Sequence, residues 1–156
     1  LSASVLAILA AEVGALDLAY DYLGEAALID LDDREQNTRD GLHLASLAGS
    51  WSGLVAGFGG LRFRNGHPWL SPRLPEEITK LRFTLRYRAR RLSVTIQQDS
   101  ATYELLEGDP ITVFHHGNRL DLRDRPVVAA LPALGATPEI TQPPGRAPIH
   151  RQRTPR

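Results

Sequence analysis

At Gly59-Gly60 the hydrophobic period of this chain changes from about 3.6 residues to about 2, which makes the fold class α+β with the helices first. Upstream, Leu6, Leu9 and Val13 recur at spacings of three and four before Gly14, a stop signal, and predict a first helix. A second carries Leu16, Ala19, Tyr20, Leu23, Ala26 and Ala27 on one face and Asp17, Asp21 and Glu25 on the other. A third is expected from near Asp40, with Leu44, Leu47, Ala48, Trp51, Leu54, Val55 and Phe58. Its small residues Ala45, Ala48, Gly49 and Gly53 would let another backbone approach closely. Helix pairs of this kind suit an α-solenoid or an α/α barrel. The pattern Leu16, Ala19, Tyr20, Ala26 does not recur at a period of about 34 residues, which argues against an array.

Downstream, Leu61 and Phe63 alternate with Arg62 and Arg64 ahead of the hairpin signal Asn65-Gly66. Leu81, Phe83, Leu85 and Tyr87 alternate with polar residues, as do Leu92, Val94 and Ile96, so the two runs should form a hairpin about Ala89-Arg90. Shorter strands are expected over 101–106 and 111–115, separated by Glu107-Gly108-Asp109-Pro110, with a last one near 119–122. Strands with one polar face predict a small antiparallel β-sandwich, jelly-roll-like in form. Seven of the eleven prolines lie beyond Arg125, so 124–156 reads as a Pro/Arg-rich tail, disordered after about Pro138. The expected division is therefore 1–58, 59–123 and 124–156.

Charge follows the same division. The 18 Lys and Arg balance the 18 Asp and Glu, which excludes a generally basic nucleic-acid binder. Residues 1–58 nevertheless hold nine acids and two bases, net −7, and residues 59–98 two acids and nine bases, net +7. The hairpin arginines Arg82, Arg86, Arg88, Arg90 and Arg91 are expected to face acidic helix surface. With no Cys there is no disulfide framework, thiolate zinc site or cysteine nucleophile. The opening run LSASVLAILAAEVG lacks a basic flank and is too short to span a bilayer, so neither a signal peptide nor a membrane partner is expected. Leu1 reads as an interior position of a longer chain.

The segment richest in possible chemistry is Thr38-Arg39-Asp40-Gly41-Leu42-His43-Leu44-Ala45-Ser46, at a loop-to-helix junction. Unpaired amides at a helix N-terminus attract anions, Gly41 allows close approach, and His43, Ser46 and Arg39 could add donors. The alternative is that Asp40 caps the helix and His43 hydrogen-bonds in a core. Asp30, Asp32 and Asp33 lack the spacing and the glycine of a calcium loop and read as a solvated loop holding the next helix. His115-His116 cannot chelate from one side if both lie in a strand, where neighbours point to opposite faces. No metal site is expected. Trp69, the one Trp of the β region, is either a junction-packing residue or the platform of a carbohydrate-binding module.

Taken in order, several motifs resemble the C-terminal end of glycoside hydrolase family 65. They are Leu1-Ser2-Ala3-Ser4-Val5, Ile8-Leu9-Ala10-Ala11-Glu12-Val13-Gly14, Asp30-Leu31-Asp32-Asp33, Asp40-Gly41-Leu42-His43 with Ser46, Ala48-Gly49 and Trp51, and Gly57-Phe58-Gly59-Gly60-Leu61-Arg62. Asn65-Gly66, Leu74-Pro75 and Glu104-Leu105-Leu106-Glu107-Gly108 agree as well. The family includes maltose, trehalose and kojibiose phosphorylases. The resemblance implies that 1–58 are the last helices of an (α/α)6 barrel and that the strands form its C-terminal β-sandwich. It implies a cytoplasmic inverting α-glucoside phosphorylase, commonly dimeric, whose partners are a disaccharide and inorganic phosphate, with no other cofactor. Gly41, His43, Ser46 and Ser2 would bind phosphate, while the general acid Glu would lie upstream of Leu1, leaving this stretch inactive alone. Leu6 stands where members often carry His. Asp40 keeps a hydrolase of the same family open as an alternative, beside a non-catalytic carbohydrate-binding module.

Overall fold

The computed structural model describes residues 2–33, 36, 38–136, 140–143 and 145–148. It divides into two compact units, Leu1–Gly57 with the described residues from Ala136 onward, and Phe58–Gly135.

The first unit holds α1 (Ser2–Glu12), α2 (Leu16–Leu28) and α3 (Leu44–Ser52), the last continuing as a π-helical stretch over Gly53–Phe58. α1 buries its small face, Ser4, Ala7, Ala10 and Ala11, and turns Val5 and Leu9 outward, with Val13 exposed just beyond its end. The reason is close backbone approach. A Cβ on Gly49 would strike Ser4, one on Gly53 would lie 3.9 Å from the Ala7 Cβ, and one on Gly57 3.5 Å from the Ile8 Cα. Contacts that advance together along both helices make α1 and α3 parallel. α2 runs opposite to α3, since Ser46 Oγ donates to the Ala26 carbonyl at 2.9 Å while Leu23 reaches Gly53. On α2 it is Tyr22, rather than Tyr20, that is buried, and its hydroxyl donates to the Arg146 carbonyl at 2.7 Å.

Two departures from the sequence expectation matter here. α3 begins at Leu44, not near Asp40: Thr38–Asp40 forms a 3-10 turn and Gly41, at φ +133°, breaks the path. Stretch 124–156 is also more than a tail. Val127–Ala130 is a strand, and Arg146 closes a turn onto the Pro143 carbonyl at 3.0 Å beside Tyr22. The disorder expected after Pro138 falls partly on residues 137–139, 144 and 149–156, which lie outside the described residues.

The second unit is a two-sheet sandwich of β1 (Arg62–Arg64), β2 (His67–Leu70), β3 (Lys80–Tyr87), β4 (Arg90–Gln97), β5 (Ser100–Glu107), β6 (Ile111–His115), β7 (Asn118–Leu122) and β8 (Val127–Ala130). The sheets run β1-β2-β6-β7 and β3-β4-β5-β8. The expected all-antiparallel order fails at one pair: β2 and β6 are parallel, because the chain crosses to the other sheet for β3 to β5 before it returns. Phe83, Leu85, Leu92, Val94, Ile96, Ala101 and Tyr103 of one sheet and Leu70, Val113 and Leu122 of the other are buried. Period 2 put these residues on common faces. The β3–β4 turn is Arg88-Ala89, one residue earlier than expected, both at positive φ (48° and 59°), with Tyr87 opposite Arg90. Arg86 and Arg91 pair with Glu107 of β5, Arg91 at 2.5 Å. Arg90 donates to the Asp109 carbonyl at 2.9 Å. These hairpin arginines thus find partners in their own unit.

Candidate functional site

The loop from α2 to α3 is organised by its aspartates. Asp33 Oδ1 accepts from the Thr38 amide at 3.1 Å and from its hydroxyl at 2.6 Å, which holds the 3-10 turn in place. Asp30 takes both donors of one residue: the His43 amide donates to Oδ2 at 2.9 Å, and ring Nδ1 lies 2.5 Å from Oδ1. The Asp30 side chain is 9% exposed and that of His43 32%. The His43 ring holds the Asp30 carboxyl below its ordinary value of 3.8, against the opposing effect of burial. The stability this contributes is present above 3.8 and is lost as pH falls below it.

His43 is the residue preceding α3, at φ −80° and ψ 71°, and makes no side-chain cap. Asp40 does not cap the helix either; it lies in the 3-10 turn beside Arg39, with the charged groups 3.8 Å apart. The capping half of the alternative reading therefore fails, whereas His43 is indeed hydrogen-bonded, to a nearly buried Asp30, with its own side chain 32% exposed. Gly41 is exposed and its amide donates to the Thr38 carbonyl at 3.1 Å. Ser46 is 4% exposed, and its hydroxyl proton joins α3 to α2. Ser2 is the exposed first residue of α1. With Ser4 against Gly49 in parallel helices, a rise of about 1.5 Å per residue sets Ser2 within about one turn of the level of Leu44. Ser2 and His43 thus lie at the same end of the helix pair, where the His43 amide is taken by Asp30 and the Leu44 and Ser46 amides donate to the Leu42 and His43 carbonyls. Asp30 is the residue that the motif reading missed. In the sequence it stands among Asp30-Leu31-Asp32-Asp33, thirteen residues before His43, with nothing to pair the two.

Among the described residues no group of three or more His, Asp or Glu could hold a metal ion. His115 and His116 do come together, with rings 4.8 Å apart, because His116 lies beyond β6 at φ +45° and the opposite-face rule for strands no longer applies. Three of their four ring nitrogens are engaged elsewhere. His115 meets the Tyr103 hydroxyl at 2.7 Å and the Ala130 carbonyl at 3.0 Å, and His116 Nε2 meets the Pro72 carbonyl at 3.1 Å. Trp69 lies flat on Phe114, with ring centroids 4.2 Å apart, and Arg64 sits 5.7 Å from its centroid. Trp69 thus packs against neighbours of its own sheet. No helix among the described residues is long and apolar enough to cross a membrane.

A helical unit ending in a π-helical stretch, followed by a two-sheet sandwich, is the junction between a helical domain and a C-terminal β domain. Residues 1–52 match the model of the glycosyl hydrolase family 65 central catalytic domain, and residues 61–122 that of the family 65 C-terminal domain. The chain belongs to glycosyl hydrolase family 65. An uncharacterized glycosyl hydrolase of Mycobacterium leprae is 49% identical, over 97% of this chain and 20% of its own length. An alpha,alpha-trehalose phosphorylase of Thermoanaerobacter brockii is 41% identical over 77% of this chain and 16% of its own. A solved structure titled as a kojibiose phosphorylase from human microbiome superposes with a TM-score of 0.76 and 26% identity, over 82% of this chain and 18% of that one. The chain thus spans 20% or less of the length of these relatives.

Proposed function

We propose that the chain is the C-terminal part of an inverting α-glucoside phosphorylase. The enzyme would cleave a disaccharide such as maltose or trehalose with inorganic phosphate to β-glucose 1-phosphate and glucose. The helices are then the last of an (α/α)6 barrel. Support comes from the outward apolar stripes of α1 (Val5 and Leu9, with Val13 just beyond its end) and α3 (Leu44, Leu47, Trp51), which are between 43% and 71% exposed. Contiguous apolar surface of this kind marks a covered face, and neighbouring barrel helices are the natural cover.

In an inverting hydrolase one carboxylic acid protonates the leaving oxygen while a second carboxylate activates water on the opposite face of the sugar. Here a phosphate oxygen replaces that water. It forms a bond to the anomeric carbon as the glycosidic C–O bond breaks, and the leaving oxygen takes the proton of a Glu that lies outside these 156 residues. Phosphate is a co-substrate, and the reading calls for neither metal nor organic cofactor. The observation that carries it is the Asp30-held imidazole of His43 at the start of α3. His43, the open Gly41 turn and Ser2 at the start of α1 stabilise the phosphate charge, and Ser46 serves by seating α3 on α2.

The test is to incubate the full-length protein with maltose or trehalose, with and without phosphate. β-Glucose 1-phosphate should form only when phosphate is present. His43→Ala should lower phosphate use at least about tenfold, a larger effect than the loss of stability from the Asp30 contact it removes. Free glucose from both halves of the sugar without phosphate would select hydrolysis, and an unchanged phosphate dependence in His43→Ala would sink the assignment of His43.

A further inference from the structure

Asp30 lies just past α2, yet its side chain belongs to the start of α3. One carboxylate engages both the main chain and the ring of His43, at 2.9 and 2.5 Å, while itself only 9% exposed. An ionised carboxylate only accepts hydrogen bonds, so Nδ1 carries the proton in this contact and Nε2 is the nitrogen directed away from Asp30. The main-chain bond ties the loop to the residue before α3, and the ring bond then fixes the imidazole orientation relative to that helix.

We propose that Asp30 is a positioning residue that clamps His43 as the Nδ1–H form and aims Nε2 at an anion beside the α3 N-terminus. The anion part rests on the phosphate reading above; the clamp does not. A ring tied only by its own side-chain torsions would sample several orientations and both tautomers, with a loss of donor geometry for each. Around metal-bound imidazoles, a carboxylate that orients the ring is worth about 10–100-fold in affinity or activity.

The full-length protein labelled with 15N-histidine allows a direct test, because long-range 1H–15N spectra at alkaline pH report the tautomer of each ring. The His43 signals are assigned by their loss in His43→Gln. Wild type should show the Nδ1–H form. Asp30→Asn, which can still accept the main-chain N–H, should lose that preference, and Asp30→Glu should restore it in part. Inorganic phosphate titrated against the same ring signals should bind about tenfold more weakly in Asp30→Asn. An Nε2–H ring in wild type, or a tautomer ratio unchanged by Asp30→Asn, overturns the clamp. Should Asp30→Asn fail to fold, the wild-type tautomer and its change in Asp30→Glu decide instead. Ring signals that phosphate leaves unmoved while the Nδ1–H form is intact overturn the phosphate reading alone.

Discussion

The hydroxyl of Tyr103 meets Nδ1 of His115 at 2.7 Å and so joins the two sheets of the sandwich through their core. His115 Nε2 faces the Ala130 carbonyl at 3.0 Å, which can only accept, so Nε2 carries the proton and Nδ1 accepts from Tyr103. Burial pushes the Tyr103 phenol far above its ordinary value, which keeps it a donor. Tyr103→Phe would leave Nδ1 buried without a partner and should cost about 1–3 kcal/mol, measured by urea denaturation of the chain. A change of a few tenths would mean that water replaces the hydroxyl.

Acid should loosen the same region. Burial, followed by the charge of His115, holds the His116 imidazole below its ordinary value of 6.5, with the Pro72 carbonyl partly opposing. Between the folded and the ordinary value the unfolded chain binds more protons, so stability is complete above pH 6.5 and falls as pH drops below it. Replacing the imidazole in His116→Asn, a residue that tolerates the local φ of +45°, should flatten that slope in melting curves taken across the range. An equally steep slope would assign it to another group.

Gly49 should not tolerate a side chain. A Cβ there would strike both Oγ and Cβ of Ser4, the Cβ at 2.7 Å. Gly49→Ala gains about 1 kcal/mol in helix propensity yet should still destabilise, because overpacking typically costs about 1–3 kcal/mol and α1 would have to move away. Ser4→Gly in the same chain should recover much of the loss. A stabilised Gly49→Ala would contradict the parallel α1–α3 register.

The turn Arg88-Ala89 places two residues other than glycine in the left-handed region. Ala89→Gly removes a penalty of about 1–2 kcal/mol, offset in part by the greater freedom of the unfolded chain, for a net gain of roughly 0.5–1 kcal/mol in thermal melts. Destabilisation would indicate that the Ala89 methyl packs.

Much of this architecture was legible in the residues. Alternation in 81–88 and 92–97 located β3 and most of β4, and the small residues of the third helix marked the face where α1 approaches. β8 was not legible: Val127–Ala130 lacks a polar alternation among its prolines, and it is a strand because β5 offers it a free edge, with Thr102 opposite Val128. Nor was the outward turn of Val5, Leu9 and Val13, since periodicity shows that a helix has a face but not which face the neighbour takes.

At the candidate site, sequence alone determined that a glycine-containing loop would enter a helix beside His43, because φ freedom and amide exposure are local properties. It also determined the helix-to-strand order, through the period of the hydrophobic residues. Tertiary structure decided the partners. Asp30 is thirteen residues from His43 in the chain and only a hydrogen bond away in space. Ser46 turned to α2, and His115 met Tyr103 of the other sheet. Such contacts arise from the crossing of elements whose separation in the sequence carries no periodic signal, so only the folded backbone assigns them.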